Sequence, residues 1–166
     1  MTGASGQTVA EASGPLAYLF WHAPAAGVRA DDYVSGLRGF HAAVEADPPT
    51  GWIGSWSWRL PRPPWLGEWP PEVYSDWYLV EGFDALGELN SAAVGGSRRP
   101  AHDKVAGRSG WGTGALFKRC GAGRATLATP GEVVSLGFLD KAPGVAYAGA
   151  ERELEAAGEA SWVRQL

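Results

Sequence analysis

The sequence predicts a single α+β domain, an antiparallel sheet with helices on one face, and three observations carry this prediction. Residues 16–60 and residues 74–119 each show a strand pattern, a helix pattern and a second strand pattern. Prolines and glycines separate the patterns where turns are needed. The chain has 166 residues, and a domain of that size buries about 70% of the surface exposed by its unfolded form.

The first unit begins with an unbroken apolar run. Residues 16–24, LAYLFWHAP, end at a proline and are typical of a strand buried on both faces. Residues 29–49 predict a helix with Asp31 or Asp32 as N-cap and a stop at Pro48. Its apolar stripe consists of Tyr33, Leu37, Phe40 and Val44. Next comes GWIGSWSWRL, which predicts a strand with one face made of Trp52, Gly54, Trp56 and Trp58.

The second unit follows a proline-rich loop at residues 61–73. YSDWYLVEG predicts a strand, and FDALGELNSAAVGG predicts a helix whose stripe is Leu86, Leu89 and Ala93. SRRPAHDKVAG fits a short helix with Ser97 as N-cap and Gly107 as C-cap. GTGALFKRC then predicts a fourth strand.

The two ends of the chain lie outside this repeated pattern. Residues 1–14 have neither apolar periodicity nor the features of a secretory signal, so we expect a disordered tail. Residues 15–166 are expected to form one domain with a C-terminal extension from about residue 131. In the extension, EVVSLGFLD and SWVRQL predict strands and YAGAERELEAAG predicts a helix.

Composition excludes several classes of function. The 14 basic residues are outnumbered by 18 acidic ones, with a net charge of -4 and no basic block, which argues against a nucleic-acid partner. No apolar run is long enough to span a membrane. Cys120 is the only cysteine, so no internal disulfide or thiolate zinc site can form, and we expect a cytoplasmic protein.

Together the elements read βαββαβ, the ferredoxin-like plan. With this plan, LFWHAP, DWYLVEGFDAL and the pair His102-Asp103, the sequence resembles the dimeric α+β barrel superfamily. That group includes EthD-like proteins, small antibiotic-biosynthesis monooxygenases, polyketide cyclases, muconolactone isomerases and haem-binding chlorite dismutase relatives. The resemblance implies a homodimer of face-to-face sheets and a cavity between each sheet and its helices or loops. The aromatic residues on the other sheet face also favour a dimer, because an open apolar face is unfavourable in water.

Two histidines are candidates for a reacting group. His22 ends the first strand on the face of Tyr18 and Phe20, and a strand end holds a side chain rigidly. His102 lies in the short helix at residues 97–107, which could equally be a surface helix without chemistry. We therefore expect His22 to matter at least as much as His102. The third histidine, His41, is expected to serve helix packing or to lie on the surface.

Asp76 and Tyr78 share one face of their strand and are further catalytic candidates. An aspartate is unusual within a strand, which favours a site, although the charge of a soluble edge strand is the alternative. Asp103 is not expected to orient His102, because adjacent helical residues point in different directions, so Asp76 or Glu81 would do so instead. The candidate ligand-binding residues are Tyr18, Phe20, Trp56, Trp58, Arg59 and Arg99, with the two tryptophans alternatively in a dimer interface.

Three functions remain open. The first is a cofactor-independent enzyme of oxygenase, cyclase or isomerase type, acting on a hydrophobic or aromatic metabolite with a histidine as base. The second is a haem-binding protein with His22 or His102 as its single axial ligand. The third is a non-catalytic small-molecule binding module. The sequence contains no nucleotide-binding or metalloprotease motif, so we expect no metal and no cofactor under the first reading.

Overall fold

The computed structural model describes residues 15–120, 143–146, 149, 152, 156 and 161–164. The predicted tail at residues 1–14, the predicted strand at residues 132–140 and most of the predicted helix at residues 147–158 lie outside the described residues. No helix in the described part is long and apolar enough to cross a membrane.

The described elements follow the predicted order, and SRRPAHDKVAG contains the short helix that its sequence fits. They are β1 (Leu16–Pro24), α1 (Ala30–Ala46), β2 (Trp52–Pro61), β3 (Glu72–Val80), α2 (Phe83–Ala93), α3 (Arg99–Ala106), β4 (Ser109–Cys120) and β5 (Ser161–Arg164). The strands form one sheet in the order β2-β3-β1-β4-β5, and every neighbouring pair is antiparallel. The first four strands therefore have the ferredoxin-like arrangement, which confirms the predicted fold class.

β1 is the central strand, and its register decides what faces the helices. His22 pairs with Tyr74 and Phe20 pairs with Asp76 on β3, while Gly112 and Gly114 oppose the same two residues on β4. Because side chains alternate along a strand, these residues all share the face that the helices cover. The catalytic candidates of β1 and β3 are thus brought side by side.

Two apolar cores lie on opposite faces of the sheet. The helix-side core contains the predicted stripe of α1, together with Leu89 of α2 and Val105 of α3. The core on the opposite face contains Leu19, Trp21 and Trp77, each at most 4% exposed within a single copy of the chain. The sequence favoured a dimer through this face because its aromatic residues were expected to be open to water. These three residues are already buried within one copy of the chain. Homodimerisation stays a prediction.

The second strand is irregular at its start. Trp52 pairs with Val80 and Gly54 pairs with Leu79, so Ile53 is an extra residue in β2. This bulge turns Trp52 toward the helix-side core, while Trp56 and Trp58 pack against the opposite core. The prediction that all three tryptophans share one face is wrong, because strict alternation fails at a bulge.

Two predicted helix N-caps are also wrong. Arg29 occupies the N-cap position of α1, and the two aspartates lie in the first turn, where their charge still favours the helix dipole. Ser97 lies in a short 3₁₀ turn before α3, and its hydroxyl donates a hydrogen bond of 3.4 Å to Asp47. The C-cap prediction holds, since Gly107 directly follows α3.

Candidate functional site

A cavity of about 660 Å³ lies between the helix-covered face of the sheet and helices α1, α2 and α3. Its floor includes three side chains from β1, namely Tyr18, Phe20 and His22, and two from β3, namely Asp76 and Tyr78. Exposed Phe83, the first residue of α2, and exposed Val94, which directly follows α2, also line it. The volume is in the range that holds a small organic ligand.

Asp76 is the buried charge of this cavity. Its strand, β3, lies between β2 and β1, and only 2% of the residue is exposed. The alternative that Asp76 keeps an edge strand soluble is therefore wrong. An aspartate this deeply buried must be compensated by partners, because charge is costly to remove from water.

Two histidines supply those partners from opposite directions. His22 Nε2 lies 3.1 Å from Asp76 Oδ2, and His41 Nε2 lies 3.5 Å from the same oxygen. Neither approach has the alignment of a hydrogen bond, so both are best described as close polar contacts. The hydroxyl of Tyr78 donates a hydrogen bond of 3.0 Å to Oδ2, whereas Oδ1 accepts none from a described residue.

These contacts determine the charge state of Asp76. Burial would raise the pKa of this carboxyl, but the contacts with His22 and His41 outweigh burial and hold the pKa well below its ordinary range. The carboxylate is therefore ionised at neutral pH. Among the described residues no Lys or Arg forms an ion pair with it, so the two imidazoles are its available sources of compensating charge.

A chain of hydrogen bonds leads from His22 back to the cavity wall. His22 Nδ1 lies 2.7 Å from the hydroxyl of Tyr33, which lies 2.7 Å from the hydroxyl of Ser109. The Ser109 hydroxyl carries one proton, so it donates either to Tyr33 or, at 3.2 Å, to the carbonyl of Val105. Burial raises the pKa of Tyr33 to about 12, so its hydroxyl keeps its proton at neutral pH. The side chains from Asp76 to Ser109 thus form one continuous polar chain lining the cavity.

Aromatic rings hold the two histidines in place. His22 stacks between Phe20 and Tyr74, with ring centroids 5.5 Å and 5.8 Å away. His41 stacks on Tyr78 at 5.4 Å with an angle of 6° between the rings, and its Nδ1 lies 2.6 Å from Ser55 Oγ. Since these contacts fix both ring planes, each Nε2 stays close to the carboxylate rather than rotating away from it.

His102 lies in a different setting at the cavity wall. Its side chain is 31% exposed, and its ring contacts Phe40 edge to face at 5.6 Å. Its Nδ1 lies 3.1 Å from Asp103 Oδ1, so the prediction that Asp103 cannot orient His102 is wrong. The side chains bend toward each other although their Cβ atoms diverge. Neither Asp76 nor Glu81 takes that role.

The structure brings together six of the ten predicted site residues. His22, His102, Asp76, Tyr78, Tyr18 and Phe20 all line the cavity. The other four lie elsewhere. Trp56 and Trp58 pack on the opposite sheet face, Arg59 pairs with Glu72 at the surface, and Arg99 pairs with Asp103.

Three residues of the site were not predicted from the sequence. Tyr33 was assigned to the apolar stripe of α1, His41 to packing, and Ser109 had no assigned role. Tyr33 and His41 are eight positions apart on α1, close to two helical turns, so the pattern places both on the sheet side. That spacing could have identified them as a polar pair within an apolar stripe. Ser109 gives no such signal.

Comparisons with known proteins add little to this description. No family model matches the sequence, and no curated protein is significantly similar to it. One similar solved structure is a protein assigned to antibiotic biosynthesis monooxygenases, from Caulobacter crescentus CB15. It shows 15% identity and a TM-score of 0.48 over 64% of this chain and 91% of that one. Another is a dimeric protein of unknown function with a ferredoxin-like fold, from Bacteroides fragilis NCTC 9343, with 8% identity and a TM-score of 0.46 over 63% and 96%.

Proposed function

We propose that the chain is a small cofactor-independent enzyme that transfers a proton to or from a hydrophobic or aromatic metabolite bound in the cavity. The reaction would be of the oxygenase, cyclase or isomerase type, each of which needs such a transfer under this mechanism. The observation that carries the proposal is the polar chain Asp76, His22, Tyr33 and Ser109, which connects a buried carboxylate to the cavity.

The buried carboxylate favours an enzyme over a binding module. A pocket that only binds an apolar ligand gains nothing from an ionised aspartate, whose desolvation costs several kcal/mol. Titratable groups with strongly shifted pKa values in a cavity are characteristic of catalytic sites. Asp76 combines all three features, since it is buried, lines the cavity and has a lowered pKa.

The chain can carry a proton in either direction. When Ser109 donates to Tyr33 and Tyr33 donates to His22 Nδ1, a proton taken from the ligand ends on His22, and Asp76 stabilises the resulting imidazolium. When the bonds run the other way, His22 supplies a proton through Tyr33 to the ligand. The hydroxyl of Tyr18, which makes no hydrogen bond to a described residue, is available to stabilise an enolate or phenolate.

The cavity favours an uncharged ligand. None of its described lining residues is Lys or Arg, and its ionised group is the carboxylate of Asp76. A ligand carboxylate or phosphate would therefore meet like charge without a Lys or Arg partner among the described lining residues. Arg99, a candidate ligand-binding residue in the sequence, is not among these lining residues.

Haem fits these residues poorly. An axial imidazole needs a nitrogen that is free to bind iron, but the two nitrogens of His22 lie 2.7 Å from Tyr33 and 3.1 Å from Asp76. Binding haem through His22 would displace the partner of whichever nitrogen binds the iron, either Tyr33 or Asp76. At His102, Asp103 and Phe40 occupy Nδ1 and one edge of the ring, which leaves Nε2 for a partly exposed position.

Deuterium uptake from solvent tests proton transfer without knowledge of the natural substrate. The probe is 2-tetralone, a neutral bicyclic ketone with acidic C–H bonds, incubated with the protein in D₂O and followed by NMR. We expect the wild type to accelerate uptake above the buffer rate. His22→Gln and Tyr33→Phe should lower the enzymatic rate by about 100-fold or more, because each interrupts the proton path.

His102→Gln is the matched control and should change the rate by less than about threefold, since His102 lies outside the chain to Asp76. Circular dichroism must show native-like folding of every variant. A wild-type rate equal to the buffer rate, or full activity in Tyr33→Phe beside loss in His102→Gln, would overturn the proposal.

A further inference from the structure

Two glycines of β4 occupy successive positions on the helix-covered face, Gly112 and Gly114. A Cβ atom at Gly112 would overlap the tip of the Phe20 ring, and a Cβ atom at Gly114 would overlap the hydroxyl of Tyr18. Both rings lean from β1 across the backbone of β4. The space that two side chains of β4 would fill is thus occupied by two aromatic rings of the cavity floor.

The backbone does not require glycine at either position. Both residues lie within a regular strand, and neither has the positive φ found at Gly27, Gly51 and Gly67. Glycine inside a strand is less favourable than alanine, because it loses more conformational freedom on folding. What these two glycines provide is space for the rings of Phe20 and Tyr18.

The position of the two rings controls the room left in the cavity. Tyr18 stacks on Phe20 at 6.4 Å and on Tyr78 at 6.3 Å, so the three rings form one continuous floor. A methyl group on β4 would push the ring tips away from β4, which is toward β3 and the helices. The displaced rings would then occupy part of the cavity.

We propose that Gly112 and Gly114 determine the size of ligand that the cavity accepts, by allowing a flat, uncharged molecule of at least two rings to lie on this floor. The inference rests on the proposed function for the location of the ligand. It concerns binding alone, so it does not depend on whether the bound molecule reacts.

The test compares two neutral probes of different size, phenol and 2-naphthol, by calorimetric titration of the full chain. In Gly112→Ala and in Gly114→Ala we expect the affinity for 2-naphthol to fall about tenfold or more, the effect of about 1.4 kcal/mol. The affinity for phenol should change less than about twofold. Gly39→Ala is the matched control, since a Cβ there meets nothing within 4 Å, and it should change neither affinity.

A second variant separates ring displacement from general damage to the strand. In the double variant Gly114→Ala with Tyr18→Ala, the displaced ring is absent, so binding of 2-naphthol should recover relative to Gly114→Ala alone. Equal weakening of both probes, no recovery in the double variant, or a wild type that binds neither probe would overturn the inference. Size selectivity without deuterium uptake would instead overturn the proposed enzymatic function and leave this inference standing.

Discussion

Adjacent residues of β3 face two different environments. Asp76 and Tyr78 point toward the helices, into a cavity with a polar chain along its floor. Trp77 and Leu79 point to the opposite side, into a core made almost entirely of apolar side chains. The same alternation divides β1 between His22 and Trp21. The apolar core on one face thus stabilises the fold, whereas the other face buries a carboxylate, which is unfavourable.

The largest effect is expected from a change on the apolar face. Trp77→Ala removes a large side chain from a packed core and should lower the free energy of unfolding by about 3–5 kcal/mol, measured by urea denaturation. The folded fraction should keep its wild-type rate of deuterium uptake, because the Trp77 ring belongs to the core on the opposite face of the sheet from the polar chain. A rate that falls in folded protein would show that the two faces are coupled.

This division into faces was largely predictable, and the exceptions have physical causes. The bounds of β1 were predicted correctly because a continuous apolar run ending at proline leaves little choice. The sheet face on which Trp52 lies was predicted wrongly, because nothing in GWIGSWSWRL indicates that Ile53 forms a bulge. The pairing of Asp76 with two histidines depends on strand order and helix placement, which are long-range properties. The role of His41 was missed for that reason.

The next largest effect is expected on the free energy of unfolding at acidic pH. Because the pKa of Asp76 in the folded chain lies below its ordinary value, the carboxylate contributes stability that is complete above that value and is lost as the pH falls below it. Asp76→Asn should therefore flatten the loss of stability between about pH 5 and about pH 2, measured by urea denaturation at each pH. Asp84→Asn, at an exposed carboxyl on α2, should keep the wild-type slope. Parallel curves for the wild type and Asp76→Asn would contradict the assignment of Asp76 as the buried ion.

A smaller effect is expected at the margin of the apolar face. We predict a homodimer, which needs an interface of about 1,600 Å² in total, and the surface available on this side includes half-buried Trp58 and exposed Trp65. Trp58→Ala should weaken association in sedimentation velocity runs at micromolar concentration. Arg59→Ala, on the other face of the same strand, should not. Sedimentation of the wild type as a monomer would contradict the prediction of a homodimer.

The smallest effect should come from a single hydroxyl on the cavity side, that of Tyr33. Its pKa is raised by burial from 10 to about 12, so its protonated form contributes stability that is complete below pH 10 and is lost as the pH rises toward 12. Tyr33→Phe keeps the ring but cannot ionise, so the variant should lose less stability than the wild type across this range. At neutral pH the same variant should be less stable by about 1–3 kcal/mol, because His22 Nδ1 is left buried without its partner. The difference in absorbance at 295 nm between wild type and variant reports the ionisation of Tyr33 alone. A midpoint of that difference near pH 10 would mean that Tyr33 is open to water, and the polar chain from Asp76 to Ser109 would then be broken at its centre.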